Sequence, residues 1–178
     1  MKDLQNPYLS ADLACMRERL GMGVIRKFPA LRDILRTLRA GRNVAMLCDQ
    51  RRRRRGLIVD FFGRPAATVD TPAVLALRFG LPVVPGYCYS TGRALRYHAY
   101  LDTPILPDRS AARDAEVVRI TREINASIAR FVRAHPDQWN WTQPRWRLSE
   151  KIEARARRRS GDQARAAEIS DSAAAPRV

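Results

Sequence analysis

No apolar run in the 178-residue sequence approaches the roughly 18 residues that a spanning helix needs, so membrane contact of these residues is peripheral. A signal-peptide pattern is missing too, because Lys2 and Asp3 already stand in the first turn. Histidine is scarce: His98 and His135 are the two, far apart, and a zinc site has little to build on. The three cysteines, Cys15, Cys48 and Cys88, lack C-x-x-C spacing and sit in mainly apolar surroundings. They read as free thiols in a reducing compartment rather than a disulfide framework. Acidic charge is short as well. Against 33 Lys and Arg there are 18 Asp and Glu, for a net charge of +15, and nearly all the cations are arginine. That excess calls for an anionic partner. Phospholipid or phosphosugar head groups, an acidic carrier protein and nucleic acid all satisfy it, and charge alone does not choose. Long polar tracts are absent before residue 148, and an apolar share of 46% excludes a disordered chain. The length suffices for one domain with a real core.

What is present is an alternation of helical and strand-like segments. Residues 8–20 place Leu9, Leu13, Met16 and Leu20 at helical spacing, and Gly21 follows as a stop. Val24-Ile25 predicts a short strand. Pro29 suits a first helical turn, Leu31, Ile34, Leu35 and Leu38 form one stripe, and Gly41 closes that helix. Val44 to Cys48 is a continuous apolar run of buried-strand type, ending at Asp49-Gln50. Arg51 to Arg55 and Gly56 follow. Leu57 to Phe62 is strand-like again and ends at Gly63. Thr71 predicts an N-cap with Pro72 at the first helical position, and Gly80 ends that helix. Leu81 to Tyr89 and Ala94 to Leu101 predict two strands joined at Ser90-Thr91-Gly92. The clearest helix covers about residues 111–134, where Val117, Ile120, Ile124, Ile128 and Phe131 recur at spacings of three and four. After Leu148 aromatics vanish, and residues 148–178 read as a polar Arg/Ala-rich tail, a frayed helix or disordered. The alternation predicts an α/β layer fold. In open sheets of that kind ligands bind at the C-terminal ends of strands, which draws attention to the loop after Cys48.

The stretch from Asn43 to Pro85 carries most of the information. Asp49, Gln50, Gly56, Phe61, Phe62, Gly63, Arg64, Pro65 and Ala66 follow one another as an apolar strand, Asp-Gln, a basic loop with glycine, and Phe-Phe-Gly-Arg-Pro-Ala. Pro136-Asp137-Gln138-Trp139-Asn140-Trp141 and Asn6-Pro7 add two further pieces. Together they resemble the lipid A biosynthesis (lauroyl/myristoyl-type) acyltransferases, within the lysophospholipid acyltransferase superfamily. The resemblance covers roughly residues 5–147. It implies a central mixed, mostly parallel sheet flanked by helices, with residues 1–147 as a partial acyltransferase domain. It also implies transfer of a fatty acyl chain from acyl carrier protein to a hydroxyl of a lipid A precursor, an anionic glycolipid. The implied setting is the cytoplasmic face of the bacterial inner membrane, held peripherally. No metal or redox cofactor is implied, and nucleic acid has no place in it.

Two departures from the family pattern stand out. Its aromatic signature ends in a His-Arg-Arg-Trp-like stretch, where this chain reads Thr142-Gln143-Pro144-Arg145-Trp146. The family base is a histidine five residues before an Asp or Glu, and this chain has no such pair. Thr103 stands five after His98, and Asn140 five after His135. Asp102 lies four residues after His98, but four strand residues span about 13 Å, beyond a direct hydrogen bond. The sequence therefore reads as the C-terminal portion, with the dyad-bearing N-terminal part missing, no catalytic residue identifiable, and binding without turnover. The acceptor side remains, assigned to Asp49, Gln50, Arg52, Arg55, Gly56, Phe62, Gly63 and Arg64. Arginine forks bind phosphate with paired charge-assisted hydrogen bonds. The same surface could instead steer an acidic carrier protein. Two rival readings stay open: an inactive truncated remnant of that family, and a basic nucleic-acid-binding module resting on charge alone.

Overall fold

A computed structural model describes residues 6–25, 30–50, 56–92 and 96–146. The Arg51–Arg55 loop, with the site candidates Arg52 and Arg55, lies outside the described residues, as does the 148–178 tail. The chain divides into two compact units, Met1–Met46 and Leu47–Val178. Helix α1 (Pro7–Arg19) starts where Asn6 accepts hydrogen bonds from the backbone N–H groups of Tyr8 (3.0 Å) and Leu9 (3.3 Å), with Pro7 at a position that needs no donor. Helix α2 (Ala30–Arg39) carries an Asp33–Arg36 ion pair and buries Ile34 from the predicted stripe, while Leu31 stays exposed. Val24-Ile25, expected as a strand, is not one here.

In the second unit Leu57–Phe61 (β1) and Arg64–Thr68 (β2) pair antiparallel with Phe61 opposite Arg64. The two intervening residues, Phe62 and Gly63, both have positive φ, +58° and +74°. Such a turn matches the twist of the strands it joins. Helix α3 (Thr71–Phe79) follows, and its N-cap is Asp70, so Thr71 is the first helical residue rather than the cap. Strands β3 (Gly86–Ser90) and β4 (Tyr97–Leu101) form a second antiparallel pair. The strand expected from Leu81 begins five residues late. Pro82 and Pro85 have no N–H to donate, and between them a lone bridge joins Val83 to Ile105. Helix α4 (Arg113–Ala134) matches its predicted span, and a 3-10 turn (Pro136–Gln138) follows.

The helix and strand content is mixed, as an α/β reading requires. The described strands make two small antiparallel pairs, and no central parallel sheet occurs among the described residues. Val44 to Cys48 is not a strand, and Leu47 is 89% exposed. An apolar run becomes a strand when it joins a ladder with another strand, and no ladder among the described residues includes this one.

The core lies where α4 packs on β1 and α3. Phe61, Ala66, Ala73, Ile120, Ile124 and Ile128 meet there. Asn125 stands among them because it completes the hairpin. Its Nδ2 donates to the Asp60 carbonyl (2.9 Å) and to Thr68 Oγ1 (3.2 Å), joining helix to both strands. Removing it takes the donor from the Asp60 carbonyl, one of two donors from Thr68 Oγ1 and an acceptor from the buried Arg145 Nη2, at a cost of about 2 kcal/mol. Asn125→Ala is therefore expected to lower the unfolding free energy of the chain by about that amount in urea titrations followed by circular dichroism. Wild-type stability would mean that the helix–hairpin junction does not depend on this side chain.

Candidate functional site

Arg145 is the most unusual residue of the fold: an arginine only 1% exposed. Its Nη1 donates to the Ala67 carbonyl (3.0 Å), and its Nη2 to Thr68 Oγ1 (2.9 Å) and Asn125 Oδ1 (3.2 Å). Its guanidinium lies 4.9 Å from the Phe61 ring centre. The next residue locks the chain in place, since Trp146 Nε1 donates to the Phe61 carbonyl (2.9 Å). The Thr-Gln-Pro-Arg-Trp departure is thus accommodated as a turn, with Pro144 outside any helix.

A buried cation needs a countercharge. Burial pulls the Arg145 pKa below the ordinary arginine value, and the Asp49 carboxylate opposes that shift. Asp49 thus lies within electrostatic reach of Arg145, at the end of the Val44–Cys48 run. One polar atom on each side remains unused. Asp49 Oδ1 and Arg145 Nε are buried with no hydrogen-bond partner among the described residues. Beside Asp49, burial first and the Asp49 charge second push the Cys48 thiol up to about 11.

The other sequence candidates fall around this pair unevenly. Gln50 is exposed and Gly56 half-buried just before β1. Phe62 and Gly63 form the hairpin turn, and the exposed Arg64 sets its guanidinium 5.7 Å from the Trp146 ring centre. Arg145 links Asp49 to the hairpin, yet the sequence reading did not select it. The signal was the Arg-Trp end of the aromatic signature, obscured by Pro144.

Neither histidine is placed as a base. His135 stacks on Tyr89 at 4.0 Å between ring centres, and His98 on the same Tyr89 at 5.5 Å. Among the described residues neither has a hydrogen bond or ion pair with a carboxylate. Asp102 is engaged elsewhere. It accepts from the Thr103 backbone N–H (2.8 Å), from the Ser127 hydroxyl and from Arg130 (2.5 Å), and Ser127 also bonds the Tyr87 hydroxyl. Ser127 first, then Thr103 and Arg130, hold its carboxyl below the usual carboxylate range. Asp102, Thr103, Ser127 and Arg130 border a cleft of about 270 Å³, where Asp102 is satisfied as above and the other carboxylate, Glu123, pairs with Arg119. Among the described residues no His/Cys/Asp/Glu group is arranged to hold a metal, and no helix is long and apolar enough to cross a membrane.

The Cys48 environment has a direct chemical readout. With its pKa near 11, about one Cys48 thiol in a thousand is ionised at pH 8. Cys15 and Cys88 are exposed. Iodoacetamide at pH 8 should alkylate those two and spare Cys48 in the folded chain, with all three labelled in denaturant, as read by peptide mass spectrometry. Equal labelling of all three under native conditions would contradict the burial of the Asp49 segment.

The family model described as bacterial lipid A biosynthesis acyltransferase matches residues 1–148. Phosphatidylinositol mannoside acyltransferases from two strains of Mycobacterium tuberculosis are each 32% identical over 149 residues, 80% of this chain and 45% of theirs. The chain spans less than half the length of these curated relatives. The extent of the family match and the identity to the two relatives lead to one conclusion: this chain belongs to the bacterial lipid A biosynthesis acyltransferase family.

Proposed function

We propose that this chain supplies the acceptor-binding half of an acyltransferase that moves a fatty acyl group from acyl carrier protein to a hydroxyl of a phosphate-bearing glycolipid. The half-buried Asp49, within electrostatic reach of the buried Arg145, carries this reading. The two retain one unused acceptor, Asp49 Oδ1, and one unused donor, Arg145 Nε. A hydroxyl, which donates and accepts at a single atom, complements both. The arginine-rich loop that follows Asp49 in sequence, with Arg52 and Arg55, supplies phosphate contacts, and Gln50 and Gly56 flank it. The protein works peripherally at the cytoplasmic face of the inner membrane.

Two acceptors suit this chemistry. The family description favours a lipid A precursor. The two mycobacterial relatives favour a phosphatidylinositol mannoside. Both are anionic glycolipids with sugar hydroxyls, and the net charge of +15 suits either.

Because His98 and His135 both stack on Tyr89 without a carboxylate partner among the described residues, the 178-residue chain is expected to bind acceptor without turning over. Incubated with acyl-acyl carrier protein and either glycolipid, it should give no acylated product by mass spectrometry. It should still bind the preferred glycolipid in detergent, and Asp49→Asn should weaken that binding about tenfold. Turnover by the chain alone, or wild-type affinity in the Asn variant, would contradict the assignment.

A further inference from the structure

The tip of the β1–β2 hairpin carries a cationic cluster separate from the Asp49–Arg145 pair. Phe62 is the one non-glycine residue with positive φ among the described residues. A left-handed backbone is unfavourable for a side-chain-bearing residue, and such strain persists where surrounding contacts over-determine it. The Phe62 ring meets Phe61 edge-on, with centres 4.8 Å apart, and Trp146 at 6.5 Å. Arg133 of α4 sets its guanidinium 4.8 Å from the Phe62 ring centre, and Arg64 sets its own 5.7 Å from that of Trp146. One aromatic pair, fixed by the Trp146 bond to Phe61, therefore carries two guanidiniums.

Both arginines are exposed, and among the described residues neither has an ion pair. Arg36, Arg119 and Arg130 each have an acidic partner. The acid nearest in sequence to the turn, Asp60, instead uses its Oδ1 to accept from the Gly63 backbone N–H (3.2 Å). A guanidinium laid on a ring engages its face and leaves its in-plane N–H donors free. Those donors match phosphate oxygens in geometry and charge.

We propose that Arg64 and Arg133, held by Phe62 and Trp146, form a phosphate-binding site at the hairpin tip. It takes a phosphate oxyanion, whether carried on a lipid head group or free. The site stands on its own geometry and does not require the acyltransferase reading. Arg133 belongs to no motif in the sequence; α4 delivers it to the turn.

Tryptophan fluorescence tests it, because Trp146 lies under Arg64. The full chain is titrated with inorganic phosphate, and separately with phosphatidylglycerol vesicles against phosphatidylcholine vesicles. A saturable change with phosphate alone identifies free phosphate as a sufficient ligand, and a change with phosphatidylglycerol alone identifies the head group. In either arm Arg64→Gln/Arg133→Gln should weaken binding about tenfold or more. The charge-matched pair Arg113→Gln/Arg122→Gln on α4 should stay within about twofold. Equal losses in the two pairs, an unaffected Arg64/Arg133 pair, or no response of the wild type to either probe would overturn the proposal. Should the double variant lose the wild-type circular dichroism spectrum, the single variants are decisive. Each is expected to weaken binding about threefold or more, and wild-type affinity in both would overturn the site.

Discussion

A guanidinium buried to 1% exposure sets the terms for this structure. Taking a cation out of water is tolerated when it is paired and its donors are used. Arg145 meets most of that condition, with Nε left unused, through four neighbours from separate parts of the chain. The Ala67 carbonyl and the Thr68 hydroxyl come from β2, Asn125 from α4, and the countercharge from Asp49. Phe61 offers its ring face from β1. One side chain near the end of the described residues thereby ties hairpin, long helix and candidate site together. Replacing it with a neutral group would leave the Asp49 charge in a half-buried setting without its partner.

Helices were the most legible part of the sequence. The stripe from Val117 to Phe131 and the glycines after α1, α2 and α3 carry local signals that tertiary context does not override. Strands were read less well, because a strand depends on a partner that local pattern does not reveal. Arg64 to Thr68 lacks alternation and contains Pro65, yet it pairs along its length with β1. Val44 to Cys48 has the better strand composition, yet no strand ladder among the described residues includes it. The Leu81 segment shows the reverse effect, where two prolines cut back an otherwise apolar run.

The candidate site was half legible. The Asp-Gln and Phe-Phe-Gly-Arg patterns led to Asp49 and to the hairpin, and the structure connects them. The connecting residue was hidden, since arginine is abundant here and nothing local separates a buried one from the solvated remainder. Its mark was adjacency to Trp146 in a known signature. Arg133 could not have been found at all, because its partner Phe62 lies far away in sequence. The histidines illustrate the opposite case. Their spacing alone denied them a carboxylate at the family interval, and in the fold both stack on Tyr89.

The dependence of the site on Arg145 reduces to one quantity, the coupling between Arg145 and Asp49. A double-mutant cycle of Arg145→Met and Asp49→Asn, read by urea unfolding of the full chain, measures it. If the pair holds the site together, the Met variant alone leaves a carboxylate unpaired, and adding Asn recovers part of the loss, with a coupling of about 1–3 kcal/mol. Losses that add to within about 0.5 kcal/mol would show the two residues to be independent and remove the basis for the site.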